Sequence, residues 1–590
     1  MKSAKILILF VWCLPGFCFA NKPNIIVIFT DDHGWPDIGA AGVYADLKTP
    51  HIDALAADGV RATQGYVTAP QCVPSRAGLL TGRSQNRFGL ESNVEVLTGF
   101  DAQVTMADRL KKAGYATGMA GKWHLGPSAE ITRHGFDEVY FKNSNGPGWS
   151  NVDLEGNDRS PGPIQTGGYH LDVCALAACA FIERHKDEPF FFYCAFRGPH
   201  VPLDAPKKYL ERFPGEMPER RRQALAMLAA IDDGVGRIRA TLKSCQLEQN
   251  TLIFLMGDNG APLKIHKLDA PGGGPGWDGS LNAPMNGEKG MLSEGGIRVP
   301  YLVAWPGTIP GKQVYTHPVS SLDVAATAVS IAGLPLDDAL DGVNLIPFLS
   351  GKEAGTPHEL LTWRWIAQSA IREGKWKLLV GGDRQYLYDL ESDPGESNNL
   401  LSTQPEVAER LHARLTSWSA ELQPPGLNGK MAETWGRYFD HYLEGKLQAL
   451  PKAKAPVEAH VQGWLARNAR MNGTKDGLQI RAKVGAKPFI VVSKLQLPSE
   501  IIALVRMRTS QGGQAGFSWR EEGQKDFSST KVSEWTCAAS DAWQEKQVRL
   551  KGTSGIIHVR LILPPGPTDV ATIEFQDAQG APLKRWNFSK

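Results

Sequence analysis

Between Asn24 and about Gly351, short apolar runs alternate with longer stretches in which apolar positions recur at helical spacing. The runs Ile25–Phe29, Tyr115–Met119, Phe190–Phe196, Leu252–Met256 and Val299–Ala304 are continuous rather than alternating, as in strands buried on both faces. Helices are predicted over Ser75–Leu80, Gln103–Ala113, Asp172–His185, Arg220–Ser244 and Ser321–Ala332. Such alternation predicts an α/β domain with a mostly parallel sheet flanked by helices. The texture changes near Leu360. Ser369–Leu379 and Gln385–Asp389 read as short antiparallel strands and Pro405–Trp418 as a helix, so a small α+β lobe is expected over 360–449. A Pro/Lys/Ala stretch at 450–456 reads as a linker. Beyond it, Ile490–Leu497, Ile501–Thr509, Gln547–Leu550 and Ile556–Leu563 predict an appended β-sandwich domain over 457–590.

At 590 residues the chain is too long for one ordinary core. Its formal net charge is +2, and Lys2 and Lys5 lie in a leader, so the remainder is close to neutral. That balance argues against a nucleic-acid or membrane-surface binder. Residues 1–20 read as a signal peptide: a basic start, the apolar run Ile6–Trp12, and Cys18-Phe19-Ala20 before a cut at Asn21. The run is short for a membrane span, and bulky Phe17 before Cys18 argues against a lipoprotein signal. A periplasmic or secreted protein with no span after cleavage is expected, its main α/β domain covering 21–359. Cys13 and Cys18 leave with the leader. The other six cysteines are too scattered for a disulfide framework, although one or two bridges stay open.

Ligands of open α/β sheets bind beyond the carboxyl ends of the strands. Ile25–Phe29 runs into Thr30, Asp31 and Asp32, and Leu252–Met256 into Gly257, Asp258 and Asn259. Tyr115–Met119 precedes Gly121-Lys122-Trp123-His124, and Phe190–Phe196 precedes Gly198-Pro199-His200. Asp31, Asp32, Asp258 and Asn259 are oxygen donors, which suit a hard cation such as Ca²⁺ or Mg²⁺. Either pair alone would read as a polar loop or helix cap; two pairs, each after an apolar strand, favour the metal.

The segment Cys72-Val73-Pro74-Ser75-Arg76-Ala77-Gly78-Leu79-Leu80-Thr81-Gly82-Arg83 places a cysteine ahead of a helix opened by Pro74. Free backbone N–H groups there favour an anion, and Arg76 shares a helix face with Cys72. A lone cysteine in this setting would be structural. The whole pattern resembles the signature of the type I sulfatases of the alkaline phosphatase superfamily. The resemblance covers Asn24 to about Trp418. It includes Gly121-Lys122-Trp123-His124-Leu125-Gly126, His134-Gly135-Phe136-Asp137, Gly287-Glu288-Lys289-Gly290, Glu294-Gly295-Gly296-Ile297-Arg298-Val299-Pro300, Tyr388-Asp389-Leu390 and Asp393-Pro394-Gly395-Glu396.

The resemblance implies an alkaline-phosphatase-like fold and a sulfuric ester hydrolase. It implies that a separate formylglycine-generating enzyme converts Cys72 to formylglycine. It assigns Asp31, Asp32, Asp258, Asn259 and residue 72 to one divalent cation, Ca²⁺ ahead of Mg²⁺. Arg76, Lys122, His124, His200 and Lys289 would surround the sulfate, with His200 and Lys289 protonating the leaving oxygen. An aldehyde hydrate has one hydroxyl to attack sulfur and a second to release sulfate, which a serine lacks. Secretion and the appended domain favour sulfated poly- or oligosaccharide as substrate. Pro271–Gly287, with Trp277, reads equally as a sugar-reading loop or a plain insertion. Trp35, Trp149, Trp363 and Trp365 read as core residues before sugar platforms. Two rivals stand: a phosphodiesterase or phosphonate monoester hydrolase of the same superfamily, and a non-catalytic sulfated-glycan binder with Cys72 unconverted.

Overall fold

The computed structural model describes residues 22–93, 97–164, 168–263, 265–266, 279–446, 461–482, 487–524, 526–528 and 530–589. The expected leader, the linker at 450–456 and Trp277 lie outside the described residues.

All seven residues of strand Asn24–Thr30 are buried. It pairs in parallel with Thr251–Gly257 on one edge and Phe190–Ala195 on the other. Ala116–Gly121 and Glu138–Phe141 extend the parallel set within a ten-stranded sheet. Successive side chains of the central strand feed opposite cores. Ile26 and Ile28 pack with helices His170–Arg184 and Glu219–Ser244 through Leu171, Ile182, Leu228 and Ile231. Ile25, Val27 and Phe29 pack with helices Cys72–Thr81, Met106–Lys112 and Leu322–Ile331 through Val73, Ala77, Leu110 and Val324. This double covering is why the strands read as continuous apolar runs.

The run Val299–Ala304, expected within the parallel set, enters as Tyr301–Ala304 and runs antiparallel to Thr251–Gly257. An apolar run records burial, not direction. The helix expected from Gln103 starts at Met106, where Thr105 and Asp108 form a reciprocal capping box. In the lobe, the expected strand Ser369–Leu379 is two strands, Gln368–Glu373 and Trp376–Gly381, broken at Gly374 with φ 56°. With Leu360–Trp365 and Arg384–Asp389 they form a four-stranded antiparallel sheet. Helix Pro405–Ser419 covers it, and a further helix, Glu433–Tyr442, had no counterpart in the sequence reading. Trp363 and Trp365 are buried in the lobe core, and Trp149 packs against the sheet core.

The chain divides into two compact units, Met1–Pro451 and Lys452–Lys590. The second consists of antiparallel sheets. Alternate residues of their strands meet in one core around Trp464, Phe517, Phe575 and Trp586, as in a β-sandwich.

Asp323 ties three segments of the first unit together. Its carboxylate accepts from the Ser320 and Val343 amides at 2.7 and 2.9 Å and pairs with His358 Nε2 at 2.9 Å. Burial lowers the His358 pKa, but Asp323 outweighs it and the net shift is upward from 6.5. A raised folded pKa gives stability that is complete below 6.5 and lost as pH rises through the folded value. The gap in melting temperature between wild type and His358→Gln is therefore expected to be wider at acid pH than at alkaline pH. A gap that does not change with pH would contradict this role.

Candidate active site

The strand ends converge through the backbone. The Asp258 amide donates to Thr30 O at 2.8 Å, the Asp31 amide to Gly198 O at 3.0 Å and the Lys122 amide to Ala195 O at 2.8 Å. Each strand thus stays joined to its neighbour one step past its end, just where the polar residues begin. Gly121 permits this step. Its φ is +94°, and a Cβ there would lie 2.0 Å from Ala195 O.

Helix Cys72–Thr81 is buried throughout and has Gln71 as its N-cap. Cys72 is thus its first residue, two positions ahead of Pro74, where the sequence alone placed the opening. The Cys72 thiol donates to Asp31 Oδ1 at 3.2 Å, and Lys289 Nζ lies 3.4 Å from the sulfur. One turn on, Arg76 donates to Asp258 Oδ2 at 2.8 Å, to the Tyr193 hydroxyl at 3.1 Å and to the Lys122 carbonyl at 3.3 Å. Its guanidinium also lies over the Phe29 ring, 5.2 Å from the centroid. Arg76 is fully buried and held on three sides.

Lys122 Nζ pairs with Asp31 Oδ2, and Lys289 Nζ with Asp32 Oδ1 at 2.5 Å. His200 Nε2 stands 3.6 Å from Asp32 Oδ2, and its Nδ1 contacts Val201 O at 2.6 Å. A proton on Nδ1, donated to that carbonyl, leaves Nε2 to face the carboxylates. Asn259 Nδ2 donates to Asp32 Oδ1 at 2.7 Å, and the Asp32 amide to Asp258 Oδ1 at 3.0 Å. Asp32 adopts φ 59°, a left-handed conformation that is costly for a non-glycine residue and is enriched at functional sites.

The charges explain one another. Burial raises the carboxylate of Asp31, but Lys122, His200, Arg76 and Lys289 hold it well below its ordinary value. Asp258 goes the other way: burial and then Asp31 push it up to about 7 against Arg76. Burial, then Asp258 and Asp31, push the Cys72 thiol well above 9.0. Burial lowers Lys289, but Asp32 above all, with Asp31 and Asp258, outweighs it and holds the ammonium charged. His200 is lowered to about 4 by burial, against Asp31 and Asp32. His124 is lowered by desolvation, then by Lys122 and Arg76.

Two buried oxygens, Asp32 Oδ2 and Asn259 Oδ1, have no hydrogen-bond partner among the described residues. Side-chain ligand atoms of Asp31, Asp32, Cys72 and His200 all lie within 4.8 Å of one another. Unpartnered buried oxygens beside crowded carboxylates are what a hard cation satisfies. The donor set therefore fits one. Asp258 differs in that both its oxygens are already engaged, by Arg76 and the Asp32 amide.

Three supporting residues escaped the sequence reading. Tyr193, inside an apolar strand, braces Arg76. Glu288 accepts from the Leu263, Ile265 and His266 amides and from the Tyr442 hydroxyl, which fixes the loop carrying Lys289. His266 Nδ1 lies 3.0 Å from the Tyr438 hydroxyl. The Gly287-Glu288-Lys289-Gly290 motif was the available signal for Glu288; the other two carried none. A cleft of about 670 Å³ lined by Gln64, Arg298, His317, Arg372 and Lys375 shares no residue with this constellation.

Fold and site together define the class: a hydrolase of the alkaline phosphatase superfamily, with its polar residues at the ends of a mostly parallel sheet. The sequence model of the sulfatase family matches residues 23–334. A second, for the C-terminal region of N-sulphoglucosamine sulphohydrolase, matches 287–421. The chain is 34% identical over 515 residues to N-acetylgalactosamine-6-sulfatase of Sus scrofa, covering 81% of this chain and 95% of that protein. It is 31% identical over 494 residues to N-acetylgalactosamine-6-O-sulfatase of Bacteroides thetaiotaomicron, covering 68% and 93%. The crystal structure of Ps i-CgsB in complex with k-i-k-neocarrahexaose superposes with a TM-score of 0.61 at 28% identity, covering 74% of this chain and all of that one. The chain belongs to the type I sulfatase family and is a sulfate ester hydrolase. No helix among the described residues is long and apolar enough to cross a membrane.

Proposed function

We propose that the protein removes sulfate from a sulfated poly- or oligosaccharide in the periplasm or outside the cell, with residue 72 acting as formylglycine beside one divalent cation. The observation that carries this reading is the position of Cys72: first residue of a buried helix, in contact with both Asp31 and Lys289. The relatives named for N-acetylgalactosamine-6-sulfate ester cleavage support the carbohydrate class. The Ps i-CgsB complex with a neocarrahexaose supports it as well.

Asp31, Asp32, Asp258, Asn259 and residue 72 would hold the cation, Ca²⁺ ahead of Mg²⁺. Bound there, it would supply a Lewis acid that draws electron density from the sulfate and the nucleophile. Converted by a maturation enzyme, residue 72 would supply a hydrated aldehyde, with one hydroxyl to attack sulfur and one to release sulfate. Arg76 is fixed by Asp258 and Tyr193 and so holds its charge at the nucleophile without reorganising. Lys122 and His124 line the sulfate side. Lys289, held charged by Asp32, donates a proton to the leaving oxygen. His200, with its Nδ1 proton donated to Val201 O, keeps a lone pair on Nε2, which takes up a proton and passes it to the same oxygen.

Parallel assays on an aryl sulfate and an aryl phosphodiester test the reaction class. Faster diester turnover would overturn the reading in favour of the phosphodiesterase alternative. Removing metal with a chelator is expected to lower aryl sulfate turnover by at least about 100-fold, with recovery on Ca²⁺ addition. Undiminished turnover after complete metal removal would exclude the cation from this role.

A further inference from the structure

The second compact unit carries a basic, aromatic patch with no part in the chemistry above. Arg470 and Arg481 stand directly opposite each other on antiparallel strands Ala469–Thr474 and Gly477–Ala482. Facing like charges cost a sheet stability rather than adding to it. Arg481 reaches Asp569 at 3.8 Å, and Arg508 reaches the same carboxylate at 2.9 Å. That shared contact puts Arg481 and Arg508 on one face of the sheet. Arg508 and Arg506 both lie over the indole of Trp543, with guanidinium carbons 4.6 and 5.7 Å from its centroid. The carboxylates paired with this row are Asp569 and, at 3.9 Å from Arg506, Glu545. Along this face four guanidiniums meet two carboxylates, and two of them, Arg506 and Arg508, lie over the half-buried Trp543. The side chains of Arg481, Arg506 and Arg508 are 46%, 47% and 31% exposed.

This excess is of a particular kind. Guanidiniums bind tetrahedral oxyanions through paired N–H donors, and the part of the Trp543 indole left uncovered by Arg506 and Arg508 can meet a sugar ring. Asp569 orients two of the arginines without neutralising the row. The sheet tolerates the Arg470–Arg481 repulsion, and a bound polyanion would relieve it. We infer that this face of the C-terminal unit is a non-catalytic binding site for a sulfated polysaccharide chain, with sulfates on Arg470, Arg481, Arg506 and Arg508 and a sugar ring on Trp543. The inference deepens the carbohydrate reading of the catalytic site and rests on it for the substrate class. Holding the polymer would raise the local concentration of sulfate esters at the enzyme.

The test uses the full-length protein with Cys72→Ala, so that bound polymer is not consumed. Retention is measured by affinity electrophoresis in gels containing chondroitin sulfate, carrageenan, or the chemically desulfated form of each. Retention by a sulfated polymer and not by its desulfated form is expected. Arg470→Gln/Arg481→Gln and, separately, Trp543→Ala should each weaken it by about tenfold. The glutamine pair alters only exposed groups, so it remains informative if Trp543→Ala fails to fold. With Cys72 intact, both variants should keep wild-type turnover of a small aryl sulfate and raise KM for the polymer. Undiminished retention in the glutamine pair, equal retention of desulfated polymer, or stronger retention of single-stranded RNA would each overturn the inference. A failure of the sulfatase reading would instead show in the aryl sulfate and diester assays, which do not involve this face.

Discussion

Cys72→Ala is expected to reduce aryl sulfate turnover by about 10³-fold or more while leaving the fold intact. The substitution exchanges a thiol for a hydrogen at a buried helix start and leaves the Arg76–Asp258 and Lys122–Asp31 pairs untouched. A loss of that size therefore measures the nucleophile and not the scaffold. Cys72→Ser separates two roles. It restores an oxygen nucleophile at the same place but offers no second hydroxyl, so a sulfated serine has no internal route to release sulfate. Serine variant exposed to substrate should accumulate a species heavier by about 80 Da, one SO₃. The wild-type peptide from the native source should be lighter than its encoded thiol form by about 18 Da, as sulfur and two hydrogens give way to oxygen. An unmodified thiol in fully active protein would exclude formylglycine, and full activity in Cys72→Ala would remove residue 72 from the chemistry.

Much of this arrangement could be read from the chain because its elements announce themselves locally. A buried parallel strand must be apolar along its length, so the first polar residues after it mark the sheet's edge. That rule alone picks out Asp31-Asp32, Asp258-Asn259 and Lys122. What local pattern cannot carry is how distant segments meet. Tyr193 sits in the fully buried run Phe190–Ala195, and nothing in that run tells that its hydroxyl will brace a guanidinium from another helix. Glu288 and Lys289 are adjacent, yet one turns to the amides of Leu263, Ile265 and His266 and the other to Asp32. Strand direction was equally silent at Tyr301–Ala304. Helix Glu433–Tyr442, by contrast, was legible in principle, since Trp435, Tyr438, Phe439 and Tyr442 recur at helical spacing and all reach the lobe core.

The same limit applies to the charged core between the lobe and the sheet domain, where Lys377→Met is expected to be the most destabilising single change. Lys377 is fully buried, with Nζ at 2.9 Å from Glu294 Oε1 and 2.8 Å from Glu396 Oε1. Glu294 also accepts from the Tyr66 hydroxyl at 2.7 Å and pairs with Arg298 at 3.2 Å. Its own amide donates to Glu396 Oε2 at 2.7 Å. Burial raises Glu294, but Lys377, Arg298 and Arg372 outweigh it and lower the carboxyl to about 2. Glu396, raised by burial against Lys377, stands near 7. Methionine fills the stem volume of Lys377 but removes the cation between two buried carboxylates. Breaking a buried pair this way costs about 3–5 kcal/mol, a large share of the net stability of a folded domain. The loss should depend on pH in a defined direction. A raised carboxyl pKa contributes stability that is complete below 4.5 and fades as pH rises through about 7. Without Lys377, Glu396 is free of repulsion only when protonated, so the deficit against wild type should be smaller at pH 5 than at pH 8. Adding Glu396→Gln to Lys377→Met should recover much of the loss at pH 8, since a neutral amide can face Glu294. Urea unfolding of wild type, single and double variants at both pH values checks each step. A Lys377→Met protein with wild-type stability at pH 8, or a double variant no better than the single, would show that the lysine does not hold these carboxylates together.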